Sequence, residues 1–282
     1  MPAPPSVKNI RVGHSPDPDD AFMFYALAKQ KIPMQGFQVE HVIEDIETLN
    51  QRALRGELEV TAVSCHAYAY LAESYVILRS GASVGDNYGP ILIGRGEEKI
   101  TSLKGKKIAI PGKLTTAYLA LQLYDADFEP LFIPFDKILD AVLSGEADLG
   151  LVIHEGQITY QEKGLSKLMD LGQWWQEKTK LPLPLGIDII RRDLGKDSIE
   201  AFAKLLKQSI VYALQHRSEA LDYALEYGRG LSKPLGDQFV GMYVNDYTVD
   251  LGLKGERGLA RLLDAAYDKG LLPKRILLEF VG

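Results

Sequence analysis

The sequence predicts an α/β protein of two lobes with a cleft between them and a helical C-terminal tail. Three observations predict it. Short apolar runs of strand length alternate with amphipathic runs of helix length up to about residue 195. Two apolar segments, Gly89-Pro90-Ile91-Leu92-Ile93-Gly94-Arg95 and Leu183-Pro184-Leu185-Gly186-Ile187-Asp188-Ile189-Ile190, bracket a self-contained α/β unit. Beyond residue 195 the strand pattern stops and amphipathic helices follow.

In chain order, Ile10–Gly13 reads as a strand, and Ser15-Pro16-Asp17-Pro18-Asp19-Asp20 leads into the helical run Ala21–Lys29. Proline suits a first helical turn and carboxylates suit its free amides, so Asp17, Asp19 and Asp20 read as capping residues. Phe37–Ile43 alternates like a strand. Asp45–Arg55 follows as a helix closed by Gly56, with Leu49, Ala53 and Leu54 on one face. Glu59–Val63 and Tyr75–Leu78 read as strands on either side of a helix Ala67–Glu73. New material then repeats the pattern. Lys107–Ile110 is a strand, and Pro111–Thr116 is a loop opening the helix Ala117–Asp125. Glu129–Ile133 is a strand, Lys137–Leu143 a helix ending at Gly145, and Leu149–Ile153 a strand that delivers His154. Such alternation implies βαβ units and parallel sheets. In the tail, Ile199, Phe202, Leu205, Leu206, Ile210 and Leu214 mark one long amphipathic helix, and 217–228, 234–247 and 256–270 read as helical too.

The two crossings set the expected division: residues 1–93 plus 187–282 in lobe I, residues 94–186 in lobe II, with a hinge near Gly94 and Gly186. A lobe inserted between two connections makes a cleft able to close by a hinge. That is the architecture of type II periplasmic-binding-protein-like folds. The chain is 46 % hydrophobic and 25 % charged, ordinary for a globular protein, and its net charge of −6 argues against a nucleic-acid partner. Cys65 is the only cysteine, which excludes an intrachain disulfide. The start, Met1–Ser6, lacks the basic and apolar regions of a signal peptide, and no run approaches the roughly 20 apolar residues of a membrane span. The expected setting is cytoplasmic, with a small-molecule substrate, no nucleic acid and no membrane; a homodimer is admitted.

Ligands of open α/β sheets bind beyond the carboxyl ends of the strands. His154 is placed there, where it either acts as a base or ends its strand with a bond to a neighbouring carbonyl. Thr115 and Thr116 after Pro111-Gly112 offer hydroxyls and free helix-start amides to an anion, or a plain threonine cap. His14-Ser15 and Ser64-Cys65-His66 end two strands and face the same crevice in a parallel sheet. No metal-ligand spacing, no dinucleotide fingerprint around Gly81, Gly85 and Gly89, and no nucleophile elbow around Ser15 or Ser64 is present. No cofactor is expected. Of the adjacent Trp174 and Trp175, one belongs in the core and the other lines the cleft or covers an edge.

Several strings then coincide with one family: Ser15-Pro16-x-Pro18-x-Asp20-x-Phe22-x-Phe24-Tyr25-Ala26-Leu27, Glu44-Asp45-x-Glu47-Thr48-Leu49-Asn50, Leu78-Arg79-Ser80-Gly81, Pro111-Gly112-x-x-Thr115-Thr116-Ala117-Tyr118, Ile153-His154-Glu155, Leu181–Gly186 and Tyr243-Val244-Asn245. Over nearly its whole length the chain resembles the 1,4-dihydroxy-6-naphthoate synthase family of the futalosine route to menaquinone. The resemblance implies a two-lobed, cofactor-free lyase acting on cyclic dehypoxanthinyl futalosine, with His154 as the base and Ser15, Asn50, Ser64, Thr115, Thr116 and Pro184 around the ligand. Departures from the family pattern fall at Asp19, Ala21, Cys65, His66 and Gly156. The alternatives are a chorismate dehydratase-like enzyme of the same pathway, which shares the fold, and a non-catalytic cytoplasmic solute-binding protein.

Overall fold

Apolar tetrads too short for helices and buried along their length read as strands covered on both faces. Tyr75–Leu78, Ile91–Gly94 and Leu149–Val152 are such strands, each buried at all four positions. The computed structural model describes residues 8–96 and 100–282, so Met1–Ser6, read above for a leader, lies outside the described residues. The chain forms β1 (Lys8–His14), β2 (Phe37–Ile43), β3 (Val60–Ser64), β4 (Tyr75–Leu78) and β5 (Ser83–Gly85) of a first sheet. It crosses to a second sheet for β6 (Ile91–Gly94), β7 (Lys107–Ile110), β8 (Glu129–Phe132), β9 (Leu149–Val152) and β10 (Ser166–Asp170). It then returns for β11 (Leu183–Arg191) and β12 (Phe280–Val281).

The first sheet has the order β12-β4-β11-β3-β1-β2, with β5 also on β11; the second has the order β10-β6-β9-β7-β8. Both are mixed rather than parallel. The βαβ parts, β1 with β2 and β3, and β7 with β8 and β9, are parallel, as their helical crossovers require. The strands met directly after each crossing, β6 and β11, run antiparallel to their main neighbours, because the chain enters each sheet from the opposite lobe. The 93/94 and 186/187 boundaries and the glycines taken as hinges fall inside strands. Ile91–Gly94 pairs wholly with the second sheet, and Leu183 and Pro184 already pair with β5 of the first. The first crossing lies backbone to backbone against the start of helix Leu171–Thr179: a Cβ on Gly172 would lie 2.0 Å from the Tyr88 carbonyl and 2.4 Å from the Gly89 nitrogen.

Helix Pro18–Ala28 is buried from Pro18 to Leu27, the mark of a central helix. Helices Lys196–Gln215, Arg217–Ala224 and Lys233–Tyr243 pack around it, joining Phe22 and Phe24 to Phe202, Leu206 and Val240 in one core. Fully burying each such side chain is worth about 1.5–3 kcal/mol. The tail therefore holds the helix whose N-terminus faces the cleft. The tail also carries a strand, β12 beside β4, contrary to the expectation that strands stop at 195. A two-residue parallel edge leaves too little pattern to read. The helix expected over Ala67–Glu73 is only the turn-and-a-bit Cys65–Tyr68, starting as soon as β3 ends. Trp175 is the core tryptophan, its Nε1 donating to Pro182 O at 3.1 Å; Trp174 packs on Tyr124 and under Lys178 rather than in the cleft.

Candidate active site

The carboxyl ends of β1, β3 and β9 and the loop after β7 converge on one cleft cavity lined from both lobes. Lobe I supplies Ser15, Asp17, Asp19, Asp20 and Ser64; lobe II supplies Thr115, Thr116, Ala117, His154 and Gln157; the tail adds Phe239 and Tyr243.

His154 follows β9 with a left-handed backbone, φ +61°, which turns the chain sharply before helix Gly156–Thr159. Its Nδ1 lies 2.6 Å from Oδ2 of Asp17, across the cleft. Ser15 Oγ donates to the same Oδ2 at 2.7 Å, and Arg229 Nη1 reaches Oδ1 at 3.0 Å. Burial works against both charges. For Asp17 the imidazolium and the guanidinium outweigh it and hold the carboxyl below its usual range. For His154, Asp17 with Glu155 and Asp19 overcomes burial and holds the imidazole above its ordinary 6.5. His154 is thus a stronger base than a free imidazole, and it must lose its proton at a pH above 6.5 before it can act. With Nδ1 held by Asp17, Nε2 has no partner among the described residues.

Asp17, Asp19 and Asp20 are not simple caps. Asp17 stands at the N-cap position without a side-chain cap bond. Asp20 accepts the Ser15 amide at 2.7 Å, yet burial carries its pKa up to about 6. Asp19 is buried with Oδ1 unpartnered, and burial with the charges of Asp20 and Asp17 raises it well above the normal carboxylate range. Asp17 has both opposite charges, Arg229 and His154, within reach and so holds its own charge more firmly than Asp19 or Asp20.

The opposite wall differs. Thr115 caps helix Thr116–Tyr124: its Oγ1 accepts Tyr118 N–H at 3.2 Å and donates to Gly112 O at 2.9 Å. Thr116 Oγ1 donates to Leu185 O at 2.5 Å. Both hydroxyl protons are engaged within the protein, whereas the amides of Thr116 and Ala117 at the helix start have no acceptor among the described residues. An anion would meet those amides.

Of the remaining residues read as ligand contacts, Ser15 and Ser64 line the cavity and Asn50 and Pro184 do not. Asn50 stands behind Ser64, donating from Nδ2 to its Oγ at 3.2 Å and accepting its amide at 2.9 Å. Pro184 follows the strand alternation to the face against Gly258, leaving Leu185 on the wall. The other histidines do not line the cavity. Burial pushes His14 down to about 3 and His66 to about 4; His14 stacks on Phe24 and bonds His41 and Ser15 O. Burial pushes the Cys65 thiol up to about 12, which removes its nucleophilic character. Among the described residues no group of three or more His, Cys, Asp or Glu could hold a metal ion, and no helix is long and apolar enough to cross a membrane. Sequence reasoning missed Arg229, Gln157, Phe239 and Tyr243 as site residues. Tyr243 lay in a string read only for resemblance, and its Oη donates to Gln157 Oε1 at 2.7 Å across the cleft.

Two mixed sheets joined by two crossings around a cleft define a protein of the periplasmic-binding-protein-like fold. The alkanesulfonate-binding protein of Xanthomonas axonopodis shares it with a TM-score of 0.71 at 14 % identity, covering 98 % of each chain. The chain belongs to the menaquinone-biosynthesis family, whose model matches residues 10–268. The 1,4-dihydroxy-6-naphthoate synthase of Thermus thermophilus is 44 % identical over 262 residues, 93 % of this chain and 95 % of that one. A crystal structure of an Archaeoglobus fulgidus protein aligns with a TM-score of 0.90 at 51 % identity, over 93 % of this chain and 98 % of that one. The protein is an enzyme of the lyase type acting in menaquinone biosynthesis.

Proposed function

We propose that the chain converts cyclic dehypoxanthinyl futalosine to 1,4-dihydroxy-6-naphthoate, with His154 as general base. The observation that supports this most is the His154–Asp17 pair at 2.6 Å on a cavity whose opposite wall presents free helix-start amides. The product is a carboxylate, and the amides of Thr116 and Ala117 are the groups to bind that end of the substrate. Nε2 of the neutral imidazole takes a substrate proton; the electron pair left behind forms a new π bond as a carbon–carbon bond of the spiro ring system breaks, and the pair of that broken bond leaves on the departing carbon, which takes up a proton. Asp17 keeps its charge and stabilises the imidazolium that forms. Ser64, fixed from behind by Asn50, is placed to bond a substrate oxygen. The cytoplasmic setting expected from the sequence goes with this reading.

The test is incubation of the purified protein with cyclic dehypoxanthinyl futalosine, and in parallel with chorismate, with products read by mass. Formation of 1,4-dihydroxy-6-naphthoate is the expected result. Recovery of the futalosine derivative unchanged, with or without turnover of chorismate, would overturn the assignment.

A further inference from the structure

Arg229 comes from Gly228-Arg229-Gly230, a turn of the C-terminal tail with φ +47° at Arg229 and +86° at Gly230. Its guanidinium meets both lobes. Nη1 lies 3.0 Å from Oδ1 of Asp17 on lobe I and 2.7 Å from Oε1 of Glu155 on lobe II. Its Cζ stands 4.6 Å from the centroid of the Phe135 ring, and the same ring meets the His154 imidazole edge-on with centroids 4.7 Å apart. Asp17 is 3 % exposed, Glu155 16 % and Arg229 31 %, so the guanidinium reaches a buried carboxylate on one lobe while keeping part of its surface in water. Segments more than 200 residues apart in sequence thus converge behind one imidazole.

We propose that Arg229 is a positioning residue for His154: it holds the second oxygen of the carboxylate that orients the base, and it ties that arrangement to contact between the lobes. The inference rests on the base role proposed for His154. Asp17 has two oxygens and two cationic partners, one on each. A guanidinium stays charged at every working pH, and its seat against the Phe135 ring keeps it beside Asp17, so the carboxylate always has this cationic partner. The charged and titratable groups facing His154 are Asp17, Asp19 and Asp20 from lobe I, Glu155 beside it, and Arg229 from the tail. Arg229 supplies the positive charge that offsets those carboxylates. Without it, the charges of Asp17 and Glu155 act on His154 uncompensated, and the imidazolium persists to higher pH. The sign is therefore definite: loss of the cation moves the acid limb of activity upward.

The experiment uses the full chain as wild type, Arg229→Gln and Arg229→Lys. The imidazole titration of His154 is followed by NMR, its signal among the five histidines assigned by its absence in His154→Gln. The pH profile of kcat/KM is recorded alongside. In Arg229→Gln both the His154 titration and the acid limb should rise by about one pH unit, which lowers activity on that limb about tenfold. Arg229→Lys should restore most of the shift. A His154 titration unmoved in Arg229→Gln overturns the proposal, and a raised KM with both pH readouts unchanged leaves Arg229 a lobe contact only. The NMR titration needs no turnover. If His154→Gln keeps full activity, the base reading fails while the effect of Arg229 on the imidazole is still measured.

Discussion

Two helices start at the cavity, Pro18–Ala28 from lobe I and Thr116–Tyr124 from lobe II, and they use the same helix dipole in opposite ways. Each N-terminus carries roughly half a positive charge. The first is surrounded by its own carboxylates, with Asp19 and Asp20 in the first turn and Asp17 at the cap. The second has no acidic residue in its first turn and is capped by an uncharged hydroxyl. The first end is thus saturated from within, and its Asp17 is turned outward to a histidine of the other lobe. The second end stays open, with amides that await an anion from solution. On the proposed function one wall grips the substrate and the other deprotonates it, and the division can be broken one wall at a time.

The largest effect is expected at the base. His154→Gln should lower kcat by about 10²–10⁴-fold with a small change in KM, since the role lies in the transition state; equal losses in both parameters would move His154 to the binding wall. Asp17→Asn comes next. It should cost about 10–10²-fold in kcat, as loss of an orienting partner does. It should also lower the acid limb of kcat/KM, because Asp17 is what raises His154 against the opposing effect of burial. That shift is opposite in sign to the one expected for Arg229→Gln, and a limb that stays in place would dissolve the pairing. On the binding wall, Thr116→Pro removes one amide at a position where proline suits a helix start, after a Thr115 already extended at φ −68°, ψ 146°. Losing a bond to a charged group is worth about 1.5–3 kcal/mol, so KM should rise about 10–10²-fold with kcat little changed. Thr116→Val, which keeps the amide, is the control. The smallest effect is expected of Thr115→Val: a lost cap costs about 1 kcal/mol of stability, read as a lower melting temperature with KM near wild type. A large KM effect there would return the hydroxyl to the ligand.

What could be read beforehand follows from the range of each signal. His154 at the end of an apolar tetrad, and Thr115-Thr116 at a helix start, are local patterns with a general rule behind them, and both residues stand on the cavity. Strand direction is not local. Nothing within Ile91–Gly94 or Leu183–Arg191 shows that their neighbours run the other way. Asp17 looked like a cap because Asp before Pro at a helix start usually is one; its partner lies 137 residues further on. Arg229, between two glycines in a polar stretch, carries no periodicity or motif at all. Asn50 and Pro184 show the limit of resemblance, which marks a position near a ligand without telling a wall residue from the one that steadies it.

The left-handed backbone of His154 has a consequence for selection. A non-glycine residue there carries a strain of about 1 kcal/mol or more, which glycine would relieve. Glycine there would also give up the buried pair with Asp17, and removing one partner of such a pair costs about 3–5 kcal/mol, more than the strain it relieves. The pair therefore holds the strained turn in place, and thermal selection alone would keep the histidine that the turn presents to the cavity.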